Sequence, residues 1–149
     1  MRFVSSAVLV TLALGGVCAG LSAQAPGQTV TIEQHEAAMK QIAQSNGAMQ
    51  KLIKANDLMA AGKEAQTLLT QFTLVERFWT QHKKDDAMKL AATARQGASD
   101  VVAATGAGDQ MKAQMAAGNL GGTCKQCHGT YREGTPQEGF RIKADAGIQ

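Results

Sequence analysis

Residues 31–55 read TIEQHEAAMKQIAQSNGAMQKLIKA, and this stretch decides the fold. Ile32, His35, Met39, Ile42, Asn46, Met49 and Ile53 recur in alternating steps of three and four, which places them along one line of an α-helix. An antiparallel bundle needs such a seam. Thr31 and Gln34 have capping-box spacing, so this helix is predicted from about Thr31 to about Ala55.

Outward from there, the two prolines, Pro26 and Pro136, bracket a proline-free interval that can be helical throughout. Proline inside a helix costs about 3 kcal/mol. A second helix is predicted from about Asp57 to His82, with Leu58, Ala65, Leu69, Phe72, Val75 and Trp79 inward and Gly62 a tolerated weak point. A third, from about Asp85 to Thr105, presents Met88, Ala91, Ala94, Ala98, Val101 and Val102. After a turn at Gly106-Ala107-Gly108, Asp109 caps a fourth helix that carries Met111, Met115 and a cysteine-histidine motif to about Glu133. Short joins imply an all-α, antiparallel up-down four-helix bundle. Residues 134–149, rich in glycine and without periodicity, are expected to be loosely ordered.

The fourth helix contains Cys124-Lys125-Gln126-Cys127-His128, and C-x-x-C-H is the spacing that covalent attachment of a c-type haem requires. Thiols three positions apart lie on neighbouring faces of one turn, where each can form a thioether to a haem vinyl group while His128 turns its imidazole to the iron. Structural zinc needs four protein ligands, and His35 and His82 stand far off without a second cysteine pair. A thioredoxin-like dithiol follows a strand, and no strand pattern precedes Cys124. A Cys124–Cys127 disulfide is sterically allowed but leaves the adjacent histidine unexplained. One covalent haem c accounts for all three residues.

The N-terminus reads as a secretory signal peptide, residues 1–23: a basic Arg2, an apolar run from Val8 to Leu14, and small residues at Ala23 and Ala25. Cleavage fits after Ala23 or after Ala25, and Pro26 disfavours the second. The third cysteine, Cys18, leaves with the leader, so both remaining thiols belong to the haem motif. That suits an oxidising exported compartment, read as a bacterial periplasm. No membrane anchor is expected after cleavage.

About 125 residues remain, one domain covering 24–133 plus the tail. The whole chain holds six aromatic residues, so a core of small aliphatic side chains lacks bulk that a haem would supply. Fifteen Lys and Arg, one of them Arg2 of the leader, nearly balance twelve Asp and Glu. No block of five like charges points to nucleic acid or an anionic membrane surface. Leu52 and Leu68 lie outside the seams and could form a homodimer face or be scattered surface residues.

Small cytochromes c usually carry C-x-x-C-H near the N-terminus and supply a methionine later, whereas here the motif closes the last helix. In this order the chain resembles the cytochrome c′ family, the class II cytochromes c, whose late C-x-x-C-H-x-x-Y-R pattern is matched by Cys124, Cys127, His128, Tyr131 and Arg132. The join between the second and third helices is shorter than is common there. The resemblance implies that Cys124 and Cys127 hold the macrocycle, that His128 is the proximal iron ligand, and that Tyr131 and Arg132 lie on the proximal side. On the bare residues Tyr131 reads as a packing residue with a bonded hydroxyl, and Arg132 equally as a solvated cation near a helix C-terminus. The family's distal pattern, Arg-x-x-x-Leu or Arg-x-x-x-Met on the first helix, falls on His35 to Met39, which implies Met39 as distal iron ligand. His35 replaces the usual arginine and is expected to meet a propionate or solvent rather than the iron.

Two function classes follow. A methionine-ligated, six-coordinate low-spin iron is an electron carrier between periplasmic redox proteins. A five-coordinate iron with Met39 only crowding the pocket binds small gases such as nitric oxide or carbon monoxide. A methionine rather than leucine at position 39 favours the first. A peroxidase-like enzyme is disfavoured, because His35 has no arginine beside it to form a peroxide-splitting pair.

Overall fold

The computed structural model describes residues 29–148. The predicted signal peptide with Cys18, and residues 24–28, lie outside the described residues. Four helices follow in order: α1 Ile32–Lys54, α2 Leu58–Gln81, α3 Asp85–Gly106 and α4 Gln110–Tyr131. The capping box forms as predicted: Gln34 N–H donates to Thr31 Oγ1 at 3.2 Å, and Thr31 N–H donates to Gln34 Oε1 at 3.0 Å. Asp57 and Asp109 cap α2 and α4 in the same way, accepting from Ala60 and Lys112.

One turn design joins all the helices. Each join is three residues whose middle member has positive φ: Asn56, Lys83 and Gly108. The residue after it donates back across five positions, Asp57 to Leu52, Lys84 to Trp79, and Asp109 to Ala104, which satisfies carbonyls of the last helical turn. Three reversals this tight force each helix antiparallel to the one before. The helices pack α1 on α2, α2 on α3, and α3 on α4, whereas α1 and α4 barely touch. The fold is an all-α up-down four-helix bundle with one loosely closed side.

Small residues set the spacing. Ala61, Ala65, Ala91, Ala94 and Ala98 are buried, so α2 and α3 approach closely. Gly62 is part of that approach: a Cβ there would stand 2.8 Å from Thr105 Oγ1. It is a packing requirement, not the mere weak point its sequence context suggests.

Three sequence expectations need correction, and the structure also shows which face of α4 turns inward. Met111 and Met115 are 73% and 64% exposed, and the inward line of α4 is Ala113, Ala117 and Leu120, continued by half-buried Cys124 and Tyr131. The buried alanines lie two positions beyond Met111 and Met115, and alanine carries little hydrophobic signal in sequence. Ile32 of the α1 seam is 37% exposed, while Ala38 and Ser45 are buried. Leu68, assigned to the surface, is fully buried, and Leu52 packs against the core, so neither is free to build a dimer face.

The tail is the third correction. Residues 134–148 are not loose: β1 Arg132–Thr135 and β2 Gly139–Ile142 form an antiparallel hairpin, followed by a 3-10 turn, Ala144–Ala146. The hairpin begins where α4 ends, two residues before the predicted Glu133. Gly134, at φ 94°, lies so close to the Gly139 carbonyl that no side chain fits. Lys143 N–H donates to Tyr131 O at 2.9 Å, and Ile142 and Ile148 pack against the core. Glycine and proline here encode a turn between short strands. Among the described residues, no helix is long and apolar enough to cross a membrane.

Candidate haem site

The open side of the bundle holds a cavity of about 600 Å³, within the range of ligand sites. It lies at one end, where the N-terminal halves of α1 and α3 meet the C-terminal halves of α2 and α4. His35 and Met39 come from α1, Phe72, Val75 and Trp79 from α2, Ala91 and Ala94 from α3, and Cys124, Cys127, His128 and Tyr131 from α4. All seven residues singled out from the sequence therefore line one space, since Arg132 borders it too. Helical periodicity causes this, because Leu120, Cys124, Cys127, His128 and Tyr131 follow one another in steps that keep them on the inner side of α4.

The electrostatics argue against a reactive dithiol. Burial pushes both thiols up, Cys127 to about 11 with help from Cys124 and Asp86, so both are protonated at neutral pH. Redox-active C-x-x-C pairs do the reverse, because they sit at helix N-termini that stabilise thiolate. This pair sits in the last two turns of α4. Both cysteines are free, and no group of three or more His, Cys, Asp or Glu among the described residues is arranged to hold a bare metal ion. Burial, with the nearby Arg132 charge, lowers the proton affinity of His128 and leaves the neutral imidazole that iron ligation needs.

Around these residues stands an aromatic cluster. The His35 ring lies 4.3 Å from Phe78 and 5.5 Å from Trp79, and Trp79 lies 4.7 Å from Tyr131. Phe78 was not singled out from the sequence; its position next to Trp79 on α2 was the available signal. Tyr131 donates its hydroxyl to Asp86 Oδ1 at 2.6 Å, which raises it to about 12 and ties the end of α4 to the start of α3. Two buried polar atoms, His35 Nδ1 and Trp79 Nε1, have no hydrogen-bond partner. Unpaired buried donors are costly and point to an absent acceptor.

These features fit a haem. The lining is mostly apolar, an imidazole and a thioether stand on helices that flank the gap, two thiols lie beside the imidazole, and the unpaired nitrogens of His35 and Trp79 suit carboxylates such as propionates. The model of the family described as cytochrome C′ matches residues 70–132. This match, over less than half of the chain, supports the cytochrome c′ family. No curated protein matches the chain. The match supports a c-type haem protein, and the four-helix bundle is consistent with that family's fold. The match covers the second half of α2 through the haem motif; it includes Trp79, Cys124, Cys127, His128, Tyr131 and Arg132 but neither Met39 nor His35 on α1, nor the hairpin beyond Arg132.

His35 also governs stability in the chain before haem attachment. Burial, then the charges of His82 and His128, lowers its pKa from 6.5 to about 4. Between those values the unfolded chain takes up a proton that the folded one refuses, so stability is full above about pH 6.5 and falls toward pH 4. The loss expected from this site is about 3 kcal/mol. Urea denaturation of the haem-free chain and its His35→Leu variant at pH 7, 5 and 4 checks this. The native chain should lose stability relative to the variant as pH falls from 7 to 4, and parallel curves would refute it.

Proposed function

We propose that the chain carries one haem c, bound covalently through Cys124 and Cys127, and works in the periplasm as a one-electron carrier between redox proteins. The observation that carries this reading is the placement of Met39 and His128 on different helices around a single apolar cavity. The haem supplies the Fe(III)/Fe(II) couple. His128 offers a neutral nitrogen from α4, Met39 offers a thioether from α1, and the capped, tightly joined helices hold the two donors in fixed places. Phe72, Val75, Ala91 and Ala94 keep water from the site. A rigid, dry, doubly ligating pocket suits electron transfer, because little has to move when the charge changes. Export follows from the signal peptide reading of residues 1–23, and the near-balanced charge favours a protein partner over a polyanion.

Visible absorption spectra of the oxidised, reduced and carbon monoxide-treated protein test this proposal. A low-spin spectrum in both states, unchanged by carbon monoxide, is the expected result. A high-spin spectrum with ready carbon monoxide binding would instead establish a five-coordinate gas-binding protein.

A further inference from the structure

Beyond Arg132 the C-terminal hairpin lies outside the family match, yet it forms part of the cavity wall. Pro136, Gly139, Phe140, Arg141 and Ile142 border the same space as His128. Phe140 is the informative residue. It is 45% exposed although it borders the cavity, and its ring carries the Arg132 guanidinium 4.0 Å from its centroid. An aromatic ring left this open beside an apolar cavity gains most from a flat apolar group filling that cavity.

The hairpin is built to stay in place. Its register pairs Arg132 with Ile142 and Gly134 with Phe140. Arg141 Nε meets Glu133 Oε1 across the strands at 3.0 Å, and Lys143 Nζ donates to Gly129 O at 3.1 Å on α4. Ile142 is anchored against the core. A freely moving tail would hold Phe140 nowhere in particular, whereas this one sets it at the cavity.

We propose that residues 132–142 are a fixed cover of the haem site, in which Phe140 packs on the macrocycle and holds Arg132 as a positive charge beside it. This rests on the haem reading above. Ferric haem carries one more positive charge than ferrous haem. Excluding water and placing a cation nearby both disfavour the ferric state, so the cover raises the reduction potential.

Spectroelectrochemical titration of the purified holoprotein tests the proposal. Phe140→Ala removes the ring, and Gly134→Ala disrupts the pairing while leaving the ring in the chain; both should shift the midpoint downward. Phe140→Trp should keep it near the native value, and Arg132→Gln should lower it. If Gly134→Ala fails to fold, Phe140→Ala alone decides, since a residue this exposed is dispensable for folding. Phe140→Ala with full haem content and a native midpoint would overturn the cover. A native protein without haem would instead remove the reading beneath it.

Discussion

A chain carrying Cys124→Ala and Cys127→Ala is expected to release all its pigment into acid-acetone, whereas the native protein keeps its haem with the precipitate. Both cysteines line the cavity on α4, next to a neutral His128, and neither is tied up in a disulfide. Alanine preserves the helix, being its best former, so the bundle outside the cavity is unaffected. What changes is the tether. Without it, retention depends on axial donors and apolar contact alone, and haem per chain should fall from one to near zero after extraction. The end of the bundle then keeps a void of about 600 Å³ walled by residues as small as Ala91 and Ala94, which cannot collapse to fill it. By analogy with cavities left in other cores, several kcal/mol of stability should go with the haem. Pigment that stays with the extracted double variant would refute covalent attachment at these positions.

The helices were legible because their signals are local. Thr31, Asp57 and Asp109 are side chains whose caps act within three residues, and Gly108 marks a left-handed turn. Asn56 and Lys83 play the same part in the other two turns, and Lys83 gives no such sign in sequence. What the pattern hid was which face of each helix turned inward. In a bundle lined by alanine, hydrophobicity points at Met111 and Met115, while close approach of neighbouring helices selects Ala113 and Ala117. The haem motif was legible for the same reason as the caps: its chemistry is written in five consecutive residues. The aromatic cluster of Phe78, Trp79 and Tyr131 with His35 spans three helices, so only the folded chain assembles it. Phe140 was missed because a single aromatic between glycine and arginine carries no period.

Met39→Leu is expected to turn a low-spin haem into a high-spin one and open the ferrous iron to carbon monoxide. Leucine nearly matches methionine in volume, and such exchanges cost less than about 1.5 kcal/mol, so the fold should persist. Only the sulfur is lost. Met39 is partly buried, packs against the core and borders the cavity that His128 also borders, so its side chain has an ordered place from which to reach the iron. His35, one turn earlier, is a poor substitute: its ring is held between Phe78 and Trp79 and is buried. With the thioether gone, iron should stay five-coordinate, carbon monoxide binding should go from undetectable to saturable, and the midpoint potential should fall, because methionine ligation raises it. A variant that stays low-spin would exclude Met39 as the ligand, and the double variant with His35→Leu would then show whether His35 supplies the bond. If the native ferrous protein already takes up carbon monoxide, Met39 only fills space, and the protein's work is to bind gases.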